Sequence, residues 1–208
     1  ERIFDELKKI LALKRLLTLF ANQVSKDIIV SIFPQFKYSK RLEAFEKFNS
    51  KLKDKFNSIL ILSLLLIDGT NDFEYFCHKY KVSNDIKIFF KYISINFESL
   101  KSKKFYSETN IKKLAYLSNK TNVEKLLLFS ICENKNIKSL NIESILDFIN
   151  NYEIPKFPVS GNYLKEHGYK AGPILGNKLK HLETKWVEND FVLDRKIIEK
   201  YLTKNEKT

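Results

Sequence analysis

The run Phe157-Pro158-Val159-Ser160-Gly161-Asn162-Tyr163-Leu164-Lys165-Glu166-His167-Gly168-Tyr169-Lys170-Ala171-Gly172-Pro173-Ile174-Leu175-Gly176 holds four of the chain's five glycines and two of its four prolines. Such density marks a tight, specified backbone path in a glycine-poor chain. Ser160 or Asn162 can cap a short helix that buries Leu164. Gly168 would close that helix in a left-handed cap. Pro173 stands where the first turn of a second helix begins. The pattern predicts a helix, a turn from Gly168 to Gly172, and a second helix whose N-terminus has no side-chain cap and lies between Lys170 and Lys178.

An uncapped helix N-terminus presents unpaired N–H groups and the positive end of the helix dipole, which suits a phosphate. Glycines let a sugar-phosphate backbone come close, as in helix-hairpin-helix contacts to nucleic acid. The same glycines would serve a helical hairpin that needs close packing, and the residues alone leave both readings open. The candidate binding residues are Gly161, Gly168, Lys170, Gly172, Gly176 and Lys178.

The composition of the other residues agrees with an anionic partner. The 208 residues are 44% apolar and 30% charged, a globular balance, and the formal charge is +12. Nucleic acid is the first partner such a charge implies, and an anionic membrane surface the second. A lysine-rich surface that only maintains solubility is the alternative. Residues 1–60 carry 13 Lys and Arg against 7 Asp and Glu, residues 101–125 carry 7 against 2, and residues 156–185 carry 6 against 2. This spread fits a long backbone followed over distance better than one small pocket. Cys77 and Cys132 form no CxxC, and there is no secretory leader, so both read as free thiols in a reducing, cytoplasmic compartment. The longest apolar stretch, Ile59 to Ile67, is broken only by Ser63. It is far short of the ~20 residues of a membrane span. The chain has no methionine and starts inside an amphipathic pattern, which reads as the C-terminal piece of a longer protein.

Helical periodicity runs almost throughout, and no strand alternation or repeat persists, so the fold class is all-α, an elongated multi-helix array with a helix-hairpin-helix-like tail. Ile3, Leu7, Ile10 and Leu11 predict one helical face. Further helices are predicted over 14–21, 27–33, 39–53, 54–67, 73–80 and 84–97, and then over 109–118, 122–133 and 142–152. The last two are predicted to reach about Val187 and to begin at Asp194. Asp68 to Asp72 reads as a turn, since no Glu closes a calcium loop of the right length. The polar, basic stretch 98–106 is the best candidate linker. It divides the chain into a neck and body over 1–100 and a tail over 101–208.

A search for chemistry returns absences. There is no P-loop, GxSxG or HExxH, and His78, His167 and His181 are not spaced as a metal site. His78 reads as partly buried, and His167 as touching phosphate or capping its helix. Tyr163, Tyr169 and Trp186 lie among basic residues, where base stacking is conceivable and packing of the tail is the better reading.

These residues bear a resemblance to a known family. Phe157 to Leu164 and Gly168 to Gly176 resemble the tail signature of bacterial class II tRNA nucleotidyltransferases, the CCA-adding enzymes. Leu179, Leu182-Glu183, Trp186, Asp190-Phe191 and Asp194-Arg195 resemble the same family's end. Glu1-Arg2-Ile3, with Glu6-Leu7 and Leu11, is similar to its Glu-Arg-Ile neck motif, which makes Glu1 and Arg2 support residues. The sequence departs from the pattern at Asn162, where the family commonly has a charged neighbour.

The resemblance implies a tRNA-binding neck, body and tail that hold the acceptor arm and elbow. The catalytic head, with Mg2+, ATP and CTP, would precede Glu1. This portion would then be inactive alone and need no cofactor of its own. The implied partner is tRNA, with neither membrane nor DNA. A poly(A)-adding relative, a stand-alone helical RNA-binding module and a helical protein-interaction domain are the other readings.

Overall fold

The helix α6 (Ser58–Leu66) organises the molecule because it is apolar on every side. Leu60 to Leu66 are all buried, with the serine among them satisfied by its own helix: Ser63 Oγ donates to Leu60 O at 2.6 Å. A helix without a polar face must be surrounded. It packs against α1 (Arg2–Leu11), α10 (Lys120–Glu133) and a 3-10 turn at Ser39–Arg41. The partner α10 is built alike. Val123, Leu126, Leu127, Leu128, Phe129, Ser130 and Cys132 are buried in it, and Ser130 Oγ donates to Leu127 O.

The computed structural model describes residues 2–13, 15–134 and 141–193. Among them the fold is all-α, with no strand. Around α6 and α10 stand α2 (Leu16–Ala21), α3 (Gln23–Ile32), α4 (Leu42–Glu46), α5 (Ser50–Lys53), α7 (Phe73–Lys79), α8 (Asn84–Asn96), α9 (Glu108–Leu117) and α11 (Ile142–Asn151). Asparagine and serine start many of these helices. The side chains of Asn22, Asn49, Asn57, Ser107, Asn119 and Asn141 each accept a backbone N–H of the following first turn. The Asp68–Asp72 turn is also present, with Asp68 Oδ1 accepting from Thr70 N at 3.0 Å.

Several expectations change. The buried face of α1 is Phe4, Leu7 and Leu11, while Ile3 and Ile10 are exposed. The helix expected over 39–53 is three short pieces, because Asn49 starts a new helix by accepting from Leu52 N at 2.9 Å. The stretch 98–106 is not a solvated linker. It folds into 3-10 turns at Ser99–Lys101 and Lys103–Tyr106, with Leu100, Phe105 and Tyr106 buried and Tyr106 Oη donating to Leu100 O at 2.9 Å. One core runs without a break across position 100, from Phe4 to Ile149. The helix expected from Asp194 lies outside the described residues.

Arg41 sits inside this core at 8% exposure. Its guanidinium donates to Leu64 O at 2.9 Å and Ile67 O at 2.6 Å, which satisfies the C-terminal end of α6. It also pairs with Glu133 and lies 4.3 Å from the Tyr38 ring centroid. Every face of the buried cation is therefore occupied.

A second, smaller core forms from Val159, Leu164, Tyr169, Leu175 and Leu182. It belongs to α12 (Gly161–Glu166) and α13 (Pro173–Glu188). An aromatic cluster joins it to α9: the Trp186 ring lies 5.3 Å from those of Tyr116 and Phe157, and 5.0 Å from that of Phe191. Tyr116 Oη donates to Glu183, and Lys113 Nζ pairs with Asp190 at 2.8 Å. Asp190 and Phe191 have φ of 54° and 65°, a conformation costly for non-glycine residues. It is held by Phe191 N donating to Trp186 O at 2.8 Å and by the ring's seat in the cluster.

Two tyrosines give this architecture an alkaline limit. Burial, and then the neighbouring carboxylate, push Tyr38 (beside Asp68) and Tyr116 (beside Glu183) up from 10.0 to about 12. The folded chain therefore holds these protons more tightly than the unfolded chain. Their contribution is complete below pH 10 and is lost as pH rises towards 12. Urea denaturation should show stability falling across that window, with a shallower fall in Tyr38→Phe and Tyr116→Phe. Parallel profiles for wild type and both variants would contradict this.

Candidate nucleic-acid interface

The helix α12 begins where Ser160 Oγ accepts from Tyr163 N at 3.2 Å. It ends in a Schellman cap. Tyr169 N donates to Leu164 O at 3.2 Å and Gly168 N to Lys165 O at 3.0 Å, with Gly168 at φ 92°. The hydrophobic contact that accompanies such a cap is present, since Leu164 and Tyr169 are buried in one cluster. His167 Nδ1 lies 2.8 Å from Tyr163 O, and the two rings are 4.3 Å apart. The histidine thus caps the helix end.

With Tyr169 anchored, Lys170, Ala171 and Gly172 form an exposed link to α13. Gly172 is the N-cap, at φ 150°, and makes no side-chain cap; Pro173 is the first helical residue. The N–H groups of Ile174 and Leu175 belong to the first turn and have no carbonyl partner within the helix. No acidic residue occupies that turn. The dipole's positive end is therefore not offset locally. Lys178 Nζ lies 5.9 Å from the Tyr169 ring centroid, which draws it back over the link.

The glycines divide by cause. A Cβ on Gly161 would meet Leu175 Cδ2 at 3.6 Å and Leu179 Cδ1 at 3.8 Å, an ordinary packing contact. Gly168 and Gly172 are required by their backbone angles. Gly176 has neither reason. It lies in the helix, and a Cβ there would meet nothing within 4 Å. A helical glycine costs about 1 kcal/mol relative to alanine, and nothing within the described chain offsets that. Close approach by something outside the chain is a physical reason for it.

The expected residues are thus brought together in part. Lys170, Gly172, Gly176 and Lys178 surround the start of α13, Gly161 packs beneath it, and Gly168 shapes the turn. Arg2 is exposed on α1, which packs on α6 and belongs to the other core. Glu1 lies outside the described residues. Trp186 and Tyr169 are buried at 3% each, so neither offers a face for base stacking. His78 is exposed rather than partly buried, while Cys77 is buried and its thiol is pushed up to about 11 by desolvation. Sequence reading missed Tyr116 and Glu183, 67 positions apart, which dock the tail. No local pattern marks either residue.

Among the described residues no group of three or more His, Cys, Asp or Glu could hold a metal ion, and no helix is long and apolar enough to cross a membrane. Comparison with known proteins finds no matching family model and no match among curated proteins.

Proposed function

We propose that this chain is the tRNA-gripping neck, body and tail of a CCA-adding tRNA nucleotidyltransferase acting in the cytoplasm. It holds the acceptor arm and elbow while a separate catalytic head extends the 3′ end. The observation that carries the reading is the start of α13, whose helix glycine has no packing reason, whose N-terminus has no side-chain cap, and which Lys170 and Lys178 flank. The resemblance of 157–176 to the family's tail signature and the net charge of +12 support it.

Gripping every tRNA calls for contacts to backbone and shape rather than to base edges. Uncapped backbone N–H groups and distributed lysines supply such contacts. The described residues do not fit a Mg2+ site, so no catalytic step is assigned to them; Mg2+, ATP and CTP belong with the head.

Binding of tRNA and of an unstructured RNA of equal length, measured across 50–200 mM salt, tests the reading. Steep salt dependence is expected, with log Kd rising in proportion to the number of phosphates contacted. Folded tRNA should be preferred. Equal affinity for the unstructured strand would favour a general RNA-binding module. Absence of salt-dependent binding would favour a protein-interaction domain.

A further inference from the structure

The 98–106 stretch does more than fill space. Between the end of α8 and the start of α9 it borders an open cavity of about 260 Å3. The polar lining is Asn96, Ser99, Ser102, Lys104 and Asn110, and Phe105 and Leu114 supply the apolar part. Lys104 is the only charge in the lining, which contains no carboxylate.

The hydrogen bonds already made decide what remains on offer. Asn96 Nδ2 donates to Tyr92 O and Asn110 Nδ2 to Phe105 O, both at 2.8 Å. Each amide is thereby oriented, and its oxygen is left as an acceptor. Ser102 Oγ accepts from Lys104 N at 3.3 Å, which leaves its hydroxyl proton to donate. The lining thus combines two amide acceptors, serine hydroxyls and one ammonium. A bare inorganic anion would use only the donors and would face the two amide oxygens without a partner. A ligand that brings hydroxyl or N–H donors together with a negative charge matches all of them. The volume lies near the lower end of small-molecule sites, about 300–1,000 Å3. It admits one nucleotide-sized unit.

We propose that this cavity binds a single ribonucleotide unit of an RNA strand, with its phosphate on Lys104 and its hydroxyl or base N–H donors on Asn96 and Asn110. The inference rests on the RNA-gripping reading for the source of the nucleotide. It adds a contact in the basic segment 101–125, away from α13.

The test is a titration of the 15N-labelled full chain with CMP, AMP, cytidine, inorganic phosphate and a 5′-phosphorylated RNA dinucleotide, read at the side-chain amide signals of Asn96 and Asn110. Saturable shifts with a Kd near about 1 mM are expected for CMP or AMP. Cytidine and phosphate should bind at least roughly tenfold more weakly, since each lacks half of the recognised chemistry. The dinucleotide should bind at least as tightly as CMP. Lys104→Ala should raise the CMP Kd about tenfold and leave the Tm unchanged, because Lys104 Nζ has no ion pair among the described residues.

Silent amides up to about 10 mM nucleotide, far above the expected Kd, would overturn the proposal. So would phosphate matching CMP, or exclusion of the dinucleotide. The two readings fail separately. Silent amides with tRNA binding retained would remove only this site, whereas CMP shifts without any tRNA binding would remove the tRNA reading.

Discussion

Arg41→Ala is expected to lower the unfolding free energy by about 3–5 kcal/mol, the range for breaking a buried ion pair on one side only. The guanidinium is the shared partner of Leu64 O, Ile67 O and Glu133. Its removal leaves two carbonyls at the end of α6 and a mostly buried carboxylate without their donor. It also withdraws a cation lying 5.4 Å from the Phe129 ring centroid and 5.7 Å from that of Phe97. Domains of this size are stable by only about 5–15 kcal/mol, so the variant should be marginal at 37 °C. Arg41→Lys should fall between wild type and alanine, because one ammonium cannot reproduce the planar fork that reaches three acceptors. Urea denaturation of both variants and of Arg41→Ala combined with Glu133→Gln measures the effect. The double variant should recover part of the loss. A loss below about 1 kcal/mol, the value of an ordinary exposed pair, would show that Arg41 is not the clamp described here.

The second large effect concerns binding. Lys170→Glu with Lys178→Glu is expected to weaken tRNA binding roughly a hundredfold, since each charge-assisted contact is worth about 1.5–3 kcal/mol and two are reversed. The salt slope should become shallower by roughly 1.4–1.8, the counterions two phosphates release. Neither lysine has an ion pair among the described residues, so the Tm should not change. Gly176→Leu makes a sharper test of the same surface. A leucine there meets no atom of the chain and has a better helix propensity than glycine by about 0.8–1 kcal/mol. It should therefore hold or raise stability while lowering tRNA affinity. Gly172→Leu would be ambiguous, because φ of 150° strains any side chain there. Unchanged tRNA affinity in both the double lysine variant and Gly176→Leu would remove the α13 start from the interface.

What could be read ahead of the structure was what is encoded locally. The Ser160 cap, the Gly168 turn and Pro173 at the first position of α13 each follow from one residue's own chemistry, and each is present. The apolar run 59–67 marked a buried helix for the same reason. Distant packing stayed hidden. The stretch 98–106 is polar by composition, yet Leu100, Phe105 and Tyr106 recur at a spacing that a 3-10 path buries. The buried face of α1 shifted from Ile3 and Ile10 to Phe4, Leu7 and Leu11, because two similar faces compete and only the position of α6 chooses between them. Arg41 looked like one more surface charge, since nothing near it in sequence announces the carbonyls of Leu64 and Ile67. The glycines at 157–176 left open whether they served packing or approach, and that question needed coordinates. Gly161 serves packing, and Gly176 does not.

The most direct test of the central claim is amide hydrogen exchange with and without tRNA at low salt. In the unbound chain the Ile174 and Leu175 amides, which lack an acceptor in the helix, should exchange fast. With tRNA bound they should slow at least tenfold, together with Lys170 and Ala171, while amides in the middle of α6 stay as they were. Binding of tRNA without any slowing from 170 to 176 would contradict the account and place the grip elsewhere on the chain.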